Sequence, residues 1–235
     1  MTRWGKRIVP RTLSLLGGEP FLHPNFAEIV VAARKAFPTS KIEITTNGTL
    51  LPKVDDLTLE LLAKARVSLL ISVHLDTREY QDCLALSIQK LHQFHIGYHI
   101  ESFTSPGSWY IIYKLDDRGV PIPCNSDPVK AWNICFRKDC GKLIGDQLYR
   151  CGTLGNIVRA YHEGALSPEW SRVLPHKPVT LDNTSKEIVE YLRSGGMPEC
   201  SVCPETIGSV TSQQMSVESA KQIKEYIREE RKSKI

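Results

Sequence analysis

Two short apolar segments, each ending in a polar loop that contains glycine, constrain the fold of this chain more than any other feature. Leu13–Leu16 runs into Gly17-Gly18-Glu19-Pro20, and Lys41–Thr45 runs into Thr46-Asn47-Gly48-Thr49. Between them, Asn25–Phe37 carries apolar residues at helical spacing. Strand, helix and strand in this order predict a βαβ unit. Parallel sheets bind ligands at the carboxyl ends of their strands, where both polar loops fall.

The same alternation continues to about residue 105. The sequence predicts a helix over Asp55–Ala65, a strand over Val67–Val73, a helix over Arg78–Phe94 and a strand over Ile96–Phe103. The strand at Val67–Val73 is apolar except for Ser68 and Ser72, which is typical of a sheet covered on both faces. The amino-terminal region is therefore expected to be α/β, with a parallel sheet and right-handed crossovers.

Composition excludes several classes of function. The 235 residues carry a net charge of +4 that is spread along the chain, so no basic stripe indicates a nucleic-acid partner. No apolar run approaches the ~20 residues that a membrane helix needs, and the amino terminus lacks the apolar core of a secretory signal. We therefore expect a cytoplasmic protein. Seven cysteines in that reducing setting indicate metal or redox chemistry rather than disulfides.

The polar loops carry groups that suit a small ligand. Gly17 and Gly18 lack a Cβ and so allow a ligand to approach the backbone closely, while the carboxylate of Glu19 can accept a hydrogen bond from an ammonium group. Thr46 and Asn47 follow the second strand. The third strand ends in Ser72-Val-His74-Leu-Asp76, which adds Ser72 and Asp76 as binding candidates. Gly-Gly-Glu-Pro alone also fits an ordinary turn, but three neighbouring strands with such ends favour a binding site.

The cysteines after residue 120 predict a metal site. Gly145-Asp146 is a two-residue hairpin signal that would place Ile144 opposite Gln147 and Cys140 opposite Cys151, with Cα atoms ~4.5–5.5 Å apart. Cys200-Ser-Val-Cys203 is a Cys-x2-Cys turn of the kind that aims two sulfur atoms at one metal. The candidate ligands of a Zn²⁺ ion or a [4Fe–4S] cluster are Cys135, Cys140, Cys151, Cys200 and Cys203. Cys135 replaces Cys140 if the hairpin register slips.

The glycine-bearing loops resemble those of the radical S-adenosylmethionine (radical SAM) superfamily. In that family a Gly-Gly-Glu-Pro loop binds the methionine amino group of S-adenosylmethionine, a role that the resemblance gives to Gly17, Gly18 and Glu19. Thr46 and Asn47 match a segment near the sulfonium group, and Ser72 and Asp76 match the end of the family's fourth strand. The resemblance covers residues 8–105 and implies a partial (β/α) barrel whose first strand is missing.

The later cysteines resemble the SPASM/Twitch extensions that hold auxiliary [4Fe–4S] clusters after many radical SAM barrels. Five residues separate Gly145 from Cys151, where the family pattern has four. On this basis we expect a partial barrel over 1–106 and a small Cys-rich α+β domain over 107–212, in which the sequence predicts an edge strand over Trp109–Leu115 and a short helix over Thr184–Arg193. We expect a terminal amphipathic helix over 213–235, with helical spacing at Ser216–Arg231.

The resemblance implies S-adenosylmethionine-dependent radical chemistry on a peptide or small-molecule substrate. The 235 residues contain no Cys-x3-Cys-x2-Cys motif, which holds the family's catalytic cluster. We therefore expect that this chain alone does not cleave S-adenosylmethionine. The sequence is then either truncated or that of a degenerate family member, and the intact Gly-Gly-Glu-Pro favours truncation. The alternative is a non-catalytic iron–sulfur or zinc module that acts as the partner of another protein.

Overall fold

The computed structural model describes residues 1–103, 109–206 and 209–210. The chain divides into two compact units, Met1–Ser108 and Trp109–Ile235. The expected boundary after residue 106 thus lies two residues before the division between the units. The expected boundary before residue 213, and with it the terminal helix predicted at Ser216–Arg231, lies outside the described residues.

The first unit is built on a four-stranded parallel sheet, which gives this region the predicted α/β class. The strands follow one another in the order β1-β2-β3-β4. They are β1 (Thr12–Leu15), β2 (Lys41–Thr46), β3 (Val67–Val73) and β4 (Gly97–Ser102). The helices are α1 (Thr2–Gly5), α2 (Phe26–Ala36), α3 (Asp56–Lys64) and α4 (Arg78–Gln93).

The predicted strands and helices of this unit are confirmed to within one or two residues. Hydrophobic spacing determines them because each helix buries one face on the sheet: Val30 and Ala33 of α2, Leu59 and Leu62 of α3 and Leu91 of α4 are all fully buried. The central strand β3 is buried along most of its length, as its apolar run predicts.

Arg34 makes hydrogen bonds with the turns at the amino-terminal edge of the sheet. The guanidinium of Arg34 donates hydrogen bonds to the backbone carbonyls of Ala65, Phe37, Pro38, Ser40 and Arg66. These carbonyls belong to the turns that lead into β2 and β3, so a single side chain donates to backbone groups of both turns. Arg34 thus supports the sheet at the edge opposite the polar loops.

The second unit has short elements and two-stranded sheets. Its strands pair as hairpins or bridges: β5 (Trp109–Tyr110) with β10 (Ser209–Val210), β6 (Lys114–Leu115) with β7 (Pro121–Ile122), and β8 (Lys142–Ile144) with β9 (Gln147–Tyr149). Its helices are α5 (Pro128–Ile134), α6 (Gly152–His162) and α7 (Ser185–Arg193). The 3₁₀ segments Pro168–Val173 and Pro198–Val202 complete it.

The sequence predicted this unit less well than the first. An edge strand expected over 109–115 is instead two separate two-residue strands. The helix predicted at 184–193 is present as α7, with Thr184 as its cap. Helices α5 and α6 were not predicted, because Pro128 and the glycines of Gly152–His162 obscure their helical spacing.

Among the described residues no helix is both long and apolar enough to cross a membrane.

Candidate functional site

The parallel sheet brings the polar loops predicted from the sequence to one side. We call this region the carboxyl edge; it comprises the ends of β1, β2 and β3 and the residues that follow them. Its members include all seven of the expected ligand-binding residues: Gly17, Gly18, Glu19, Thr46, Asn47, Ser72 and Asp76.

Glu19 links the first loop to the second. Its Oε1 accepts hydrogen bonds from the hydroxyl of Thr46 at 2.8 Å and from the backbone N–H of Phe21 at 3.3 Å, and its Oε2 accepts from the backbone N–H of Asn47 at 3.1 Å. A carboxylate offers about four acceptor sites. One site thus remains for a further donor, and the sequence-predicted trio Glu19, Thr46 and Asn47 forms one hydrogen-bonded group.

The loop after β2 is held by its own side chains. Thr46 Oγ1 accepts from the N–H of Gly48 at 3.1 Å, and Asn47 Oδ1 accepts from the N–H of Thr49 at 2.9 Å. Gly48 has φ +80°, and a Cβ there would stand 3.2 Å from a methyl group of Ile71. Both the turn and the packing therefore require glycine at this position.

Ser72 joins the same network, whereas Asp76 stands apart. The buried hydroxyl of Ser72 donates to the carbonyl of Thr46 at 3.2 Å and lies 3.1 Å from Nε2 of His74. Burial lowers the pKa of His74, whose ring stacks on Phe103 at 5.4 Å between centroids. Asp76 is exposed and accepts a long, 3.5 Å hydrogen bond from the side chain of Gln81.

Tyr80 is a member of the carboxyl edge that the sequence did not reveal. Its hydroxyl donates to the carbonyl of Asn47 at 2.6 Å and lies 3.4 Å from the carbonyl of Ser72. Burial, together with the nearby Cys83 and Glu19, raises the pKa of Tyr80. Its position on the buried face of α4 is the only sequence signal, and that signal equally describes a core residue.

Gly17 and Gly18 face open space. A Cβ placed on either residue would meet no atom within 4 Å among the described residues, and neither φ lies in the left-handed region. Packing and backbone strain therefore do not explain these two glycines.

In the second unit, four of the five predicted metal ligands line one cavity of about 40 Å³, which we call the cysteine cavity: Cys135, Cys151, Cys200 and Cys203. Three different elements supply them. Cys135 ends α5, Cys151 precedes the first residue of α6, and the other two belong to the 3₁₀ segment Pro198–Val202 and its end.

The cavity thiols are unlike ordinary surface cysteines. Burial, and then the proximity of Cys151, Cys135 and Cys200, raises the pKa of Cys203 to about 12. Burial also raises the pKa of Cys200, whose Sγ accepts a hydrogen bond from the N–H of Met197 at 3.4 Å. No disulfide joins any of the seven cysteines, all of which are described.

The hairpin predicted at Gly145-Asp146 is present, and its register is confirmed: Ile144 pairs with Gln147. The carbonyl of Cys140 accepts from the N–H of Gly152 at 3.1 Å, so its backbone does lie beside the Cys151 end of the hairpin. Its side chain, however, is exposed and does not line the cavity. Cys135 lines the cavity instead, although the register has not slipped.

The thiols do not yet stand in metal-binding geometry. In the described part of the chain, no group of three or more His, Cys, Asp or Glu side chains is arranged to hold a metal ion. The four cysteines share the lining of one cavity but do not form a set of metal ligands there. Of the two remaining cysteines, Cys83 is on α4, with its Sγ 3.6 Å from the carbonyl of Thr49. Cys124 is buried, with a pKa that burial raises, and its backbone N–H donates to the carbonyl of Val202 beside Cys203, although it does not line the cavity.

A polar network lies directly behind the cavity. Glu199 lines the cavity and pairs with His176, with Nδ1 and Oε1 3.5 Å apart. Nε2 of His176 lies 2.9 Å from the hydroxyl of Tyr191, which also accepts the backbone N–H of Arg150 at 2.9 Å. Burial lowers the pKa of His176, and Glu199 opposes that effect. The residues immediately before Cys151 and Cys200 are thus fixed through a shared histidine and tyrosine.

Comparison with known proteins identifies neither the carboxyl edge nor the cysteine cavity. The chain matches no known protein-family model and no curated protein.

Proposed function

We propose that this protein is an iron–sulfur protein of the radical SAM type, which binds S-adenosylmethionine at the carboxyl edge and a [4Fe–4S] cluster in the cysteine cavity. The observation that carries the proposal is the convergence of Cys135, Cys151, Cys200 and Cys203 on one cavity. The fold expected with this function is the partial (β/α) barrel followed by a small auxiliary-cluster domain.

The residues of the cavity fit such a group. Four thiols are the donor set of a cubane cluster, and the N–H of Met197, which donates to Cys200 Sγ, is the type of hydrogen bond that tunes cluster potentials. Burial raises the pKa of Cys203 to about 12, so a metal bound there would have to displace its proton, and the charge of the cation would supply the attraction that favours the thiolate. When bound, the cluster supplies one-electron transfer.

The chain's own part in cluster binding is to deliver four thiols from three elements. The pairing of β8 with β9 positions Cys151, and the 3₁₀ segment positions Cys200 and Cys203. Side-chain rotation within the cavity is required to bring the sulfur atoms into a ligand arrangement. The backbone around all four is held by hydrogen bonds of secondary structure or turns.

At the carboxyl edge, the proposed ligand is the methionine part of S-adenosylmethionine. Gly17 and Gly18 leave room for a ligand at the backbone, and Glu19 keeps one acceptor site for an ammonium group. Thr46 and Asn47 hold Glu19 in place. In this arrangement Glu19 both fixes the loop and contributes its remaining oxygen lone pair to the ligand.

A second candidate function is a zinc-binding module without catalysis. The small volume of the cavity, about 40 Å³, favours it because one ion needs less room than a four-iron cluster. The donor set suits tetrahedral zinc equally well. This module would act as a partner of another protein rather than on a substrate.

Metal analysis distinguishes the two candidates. The protein is purified without oxygen, and iron, sulfide and zinc are measured per chain, together with visible absorption. We expect iron and sulfide in equal amounts and a brown colour. A colourless protein with one zinc ion establishes the second candidate, and a protein that takes up neither metal after reconstitution contradicts both.

Single serine substitutions test which thiols bind the metal. We expect Cys135→Ser, Cys151→Ser, Cys200→Ser and Cys203→Ser each to lose most of the bound metal. Cys140→Ser and Cys83→Ser are the matched controls, because their side chains do not line the cavity, and they should retain it. Metal loss in Cys140→Ser with retention in Cys135→Ser would show that Cys140 is a ligand in place of Cys135.

Binding of S-adenosylmethionine is tested by calorimetry with the ligand itself. Gly17→Ala and Gly18→Ala place a methyl group in open space, so we expect normal folding and weaker binding. Gly97→Ala is the control because its Cβ also meets nothing within 4 Å, at the opposite end of the sheet. Equal affinity in all three variants would remove the carboxyl edge from the proposal. Reductive cleavage is expected from none of these proteins, since the sequence contains no Cys-x3-Cys-x2-Cys.

A further inference from the structure

Arg150 is a buried cation on the wall of the cysteine cavity. It is 4% exposed and immediately precedes Cys151. Its guanidinium stacks on the ring of Trp132, with Cζ 4.1 Å from the ring centroid, and Nη1 donates to the carbonyl of Gly195. Arginine keeps its charge under all conditions in which proteins fold.

Arg150 has no anionic partner in the part of the chain that the structure describes. It forms no ion pair with a carboxylate there, and its buried Nε has no hydrogen-bond partner. The carboxylate of Glu199 lines the same cavity but pairs with His176. A buried, unpaired charge costs several kcal/mol, so its presence here indicates a missing anion.

The surroundings fix Arg150 in place. Gly196 packs on Trp132 so tightly that a Cβ would approach Trp132 Cβ to 2.9 Å. The adjacent carbonyl of Gly195 holds the guanidinium, and Tyr191 accepts the backbone N–H of Arg150 at 2.9 Å. The side chain therefore cannot readily swing out to solvent, where its charge would cost nothing.

Charge counting supports an anionic occupant. The lining of the cavity includes three cations, Arg137, Lys138 and Arg150, and one carboxylate, Glu199, which leaves two positive charges. Four thiolates around a core of two positive charges, either Zn²⁺ or an oxidised [4Fe–4S] cluster, carry two negative charges. The cavity is thus neutral overall when such a site is formed and positive when its thiols are protonated.

We propose that Arg150 is the buried counter-ion of the metal site in the cysteine cavity, where its free Nε–H donates a hydrogen bond to a metal-bound sulfur atom. The proposal rests on the proposed function, since it requires a metal in this cavity. Arg150 is a positioning residue that acts on the charge of the site. In an iron–sulfur protein it favours the reduced form, which carries one more negative charge.

The test compares Arg150→Met with Arg150→Lys and with Arg159→Met. The methionine variant removes the charge and keeps most of the length, while the lysine variant keeps the charge without the rigid N–H array. Arg159 is an exposed cation on α6 outside the cavity, so Arg159→Met makes the same change in net charge. Metal content and, for a cluster, the midpoint potential are measured in each protein.

We expect Arg150→Met to disfavour reduction by at least tenfold, which is about 59 mV for a one-electron couple. Arg150→Lys should lie between it and the wild type, and Arg159→Met should equal the wild type. Selective metal loss in a folded Arg150→Met, with retention in Arg150→Lys, supports the proposal as well. If the metal is zinc, competition with a chelator should show affinity at least tenfold weaker in Arg150→Met.

An unchanged potential, or an unchanged zinc affinity, in Arg150→Met overturns the role of Arg150 while leaving the metal site intact. A shift of the same size in Arg159→Met overturns it too, because the effect would then be one of net charge alone. If the wild-type protein holds no metal after reconstitution, the proposed function itself fails. These outcomes separate the two proposals.

Discussion

The carboxyl edge and the cysteine cavity differ in how far the chain itself satisfies their polar groups. At the carboxyl edge, both oxygens of Glu19 accept hydrogen bonds, and Thr46 and Ser72 are joined to the same network. In the cavity, Arg150 Nε is buried without a hydrogen-bond partner among the described residues, and burial holds two of the thiols in their neutral form. The chain thus satisfies most of the polar groups of the first region itself, whereas under the proposed function a metal would satisfy those of the second.

Removal of the metal should produce the largest difference in stability between the two units. A chelator is expected to destabilise the second unit by about 3 kcal/mol or more, because metal-binding free energy is folding free energy in small sites of this type. That is about a hundredfold in hydrogen-exchange rate. Exchange measured peptide by peptide should change in residues 109–206 and not in β1–β4. Equal acceleration in both units would contradict the contrast.

Loss of the Glu19 carboxylate is the corresponding test of the first unit. Glu19→Gln leaves Thr46 and Asn47 without an ionised acceptor, and hydrogen bonds to charged groups contribute about 1.5–3 kcal/mol each. We expect the free energy of unfolding to fall by about 2 kcal/mol in denaturant titrations. Glu60→Gln serves as the control, since its exposed pair with Lys64 is worth less than about 0.5 kcal/mol.

Acid should lower the stability of the second unit through protonation of His176. Its pKa is lowered in the folded protein by burial, so the unfolded chain binds the proton more tightly. Stability is therefore present above the ordinary histidine value of about 6.5 and declines as pH falls below it, by at most about 1.4 kcal/mol per pH unit. Denaturant titrations at descending pH should show this decline, and His176→Gln should reduce it. A substitution of the exposed His162 should leave the slope as it is.

Two helix caps provide the smallest and most closely matched test. Asp55 accepts the N–H of Thr58 at the start of α3, and Thr184 accepts the N–H of Glu187 at the start of α7. Each alanine substitution should cost about 1 kcal/mol. Only Thr184→Ala should also hasten metal release to a chelator, because α7 carries the Tyr191 that holds Arg150. Equal release rates would show that α7 does not support the cavity.

The first unit was predictable because each of its strands and helices follows a single hydrophobic periodicity. Val67–Val73 and the buried faces of α2 and α3 are strong signals, and parallel topology then places the ends of the strands at one edge. The hairpin register at Gly145-Asp146 was predictable for a similar reason, as turn length alone fixes strand pairing.

The cavity was predictable only in part. The signal for α5 was present in Asp127-Pro128, where an aspartate cap is followed by proline at the first helical position. Without that helix, Cys135 had no defined place, and Cys140 was the better candidate by register. The side chain of a residue beyond a hairpin can face either side, and packing against α6 decides which. Arg150 carried no sequence signal, because burial of a charged residue depends on tertiary structure.

Arg34 has a consequence for how this sheet can evolve. One side chain of α2 anchors the turns that lead into β2 and β3, so both turns depend on a single position of the sequence. A lineage that changes Arg34 loses hydrogen bonds to five backbone carbonyls at once.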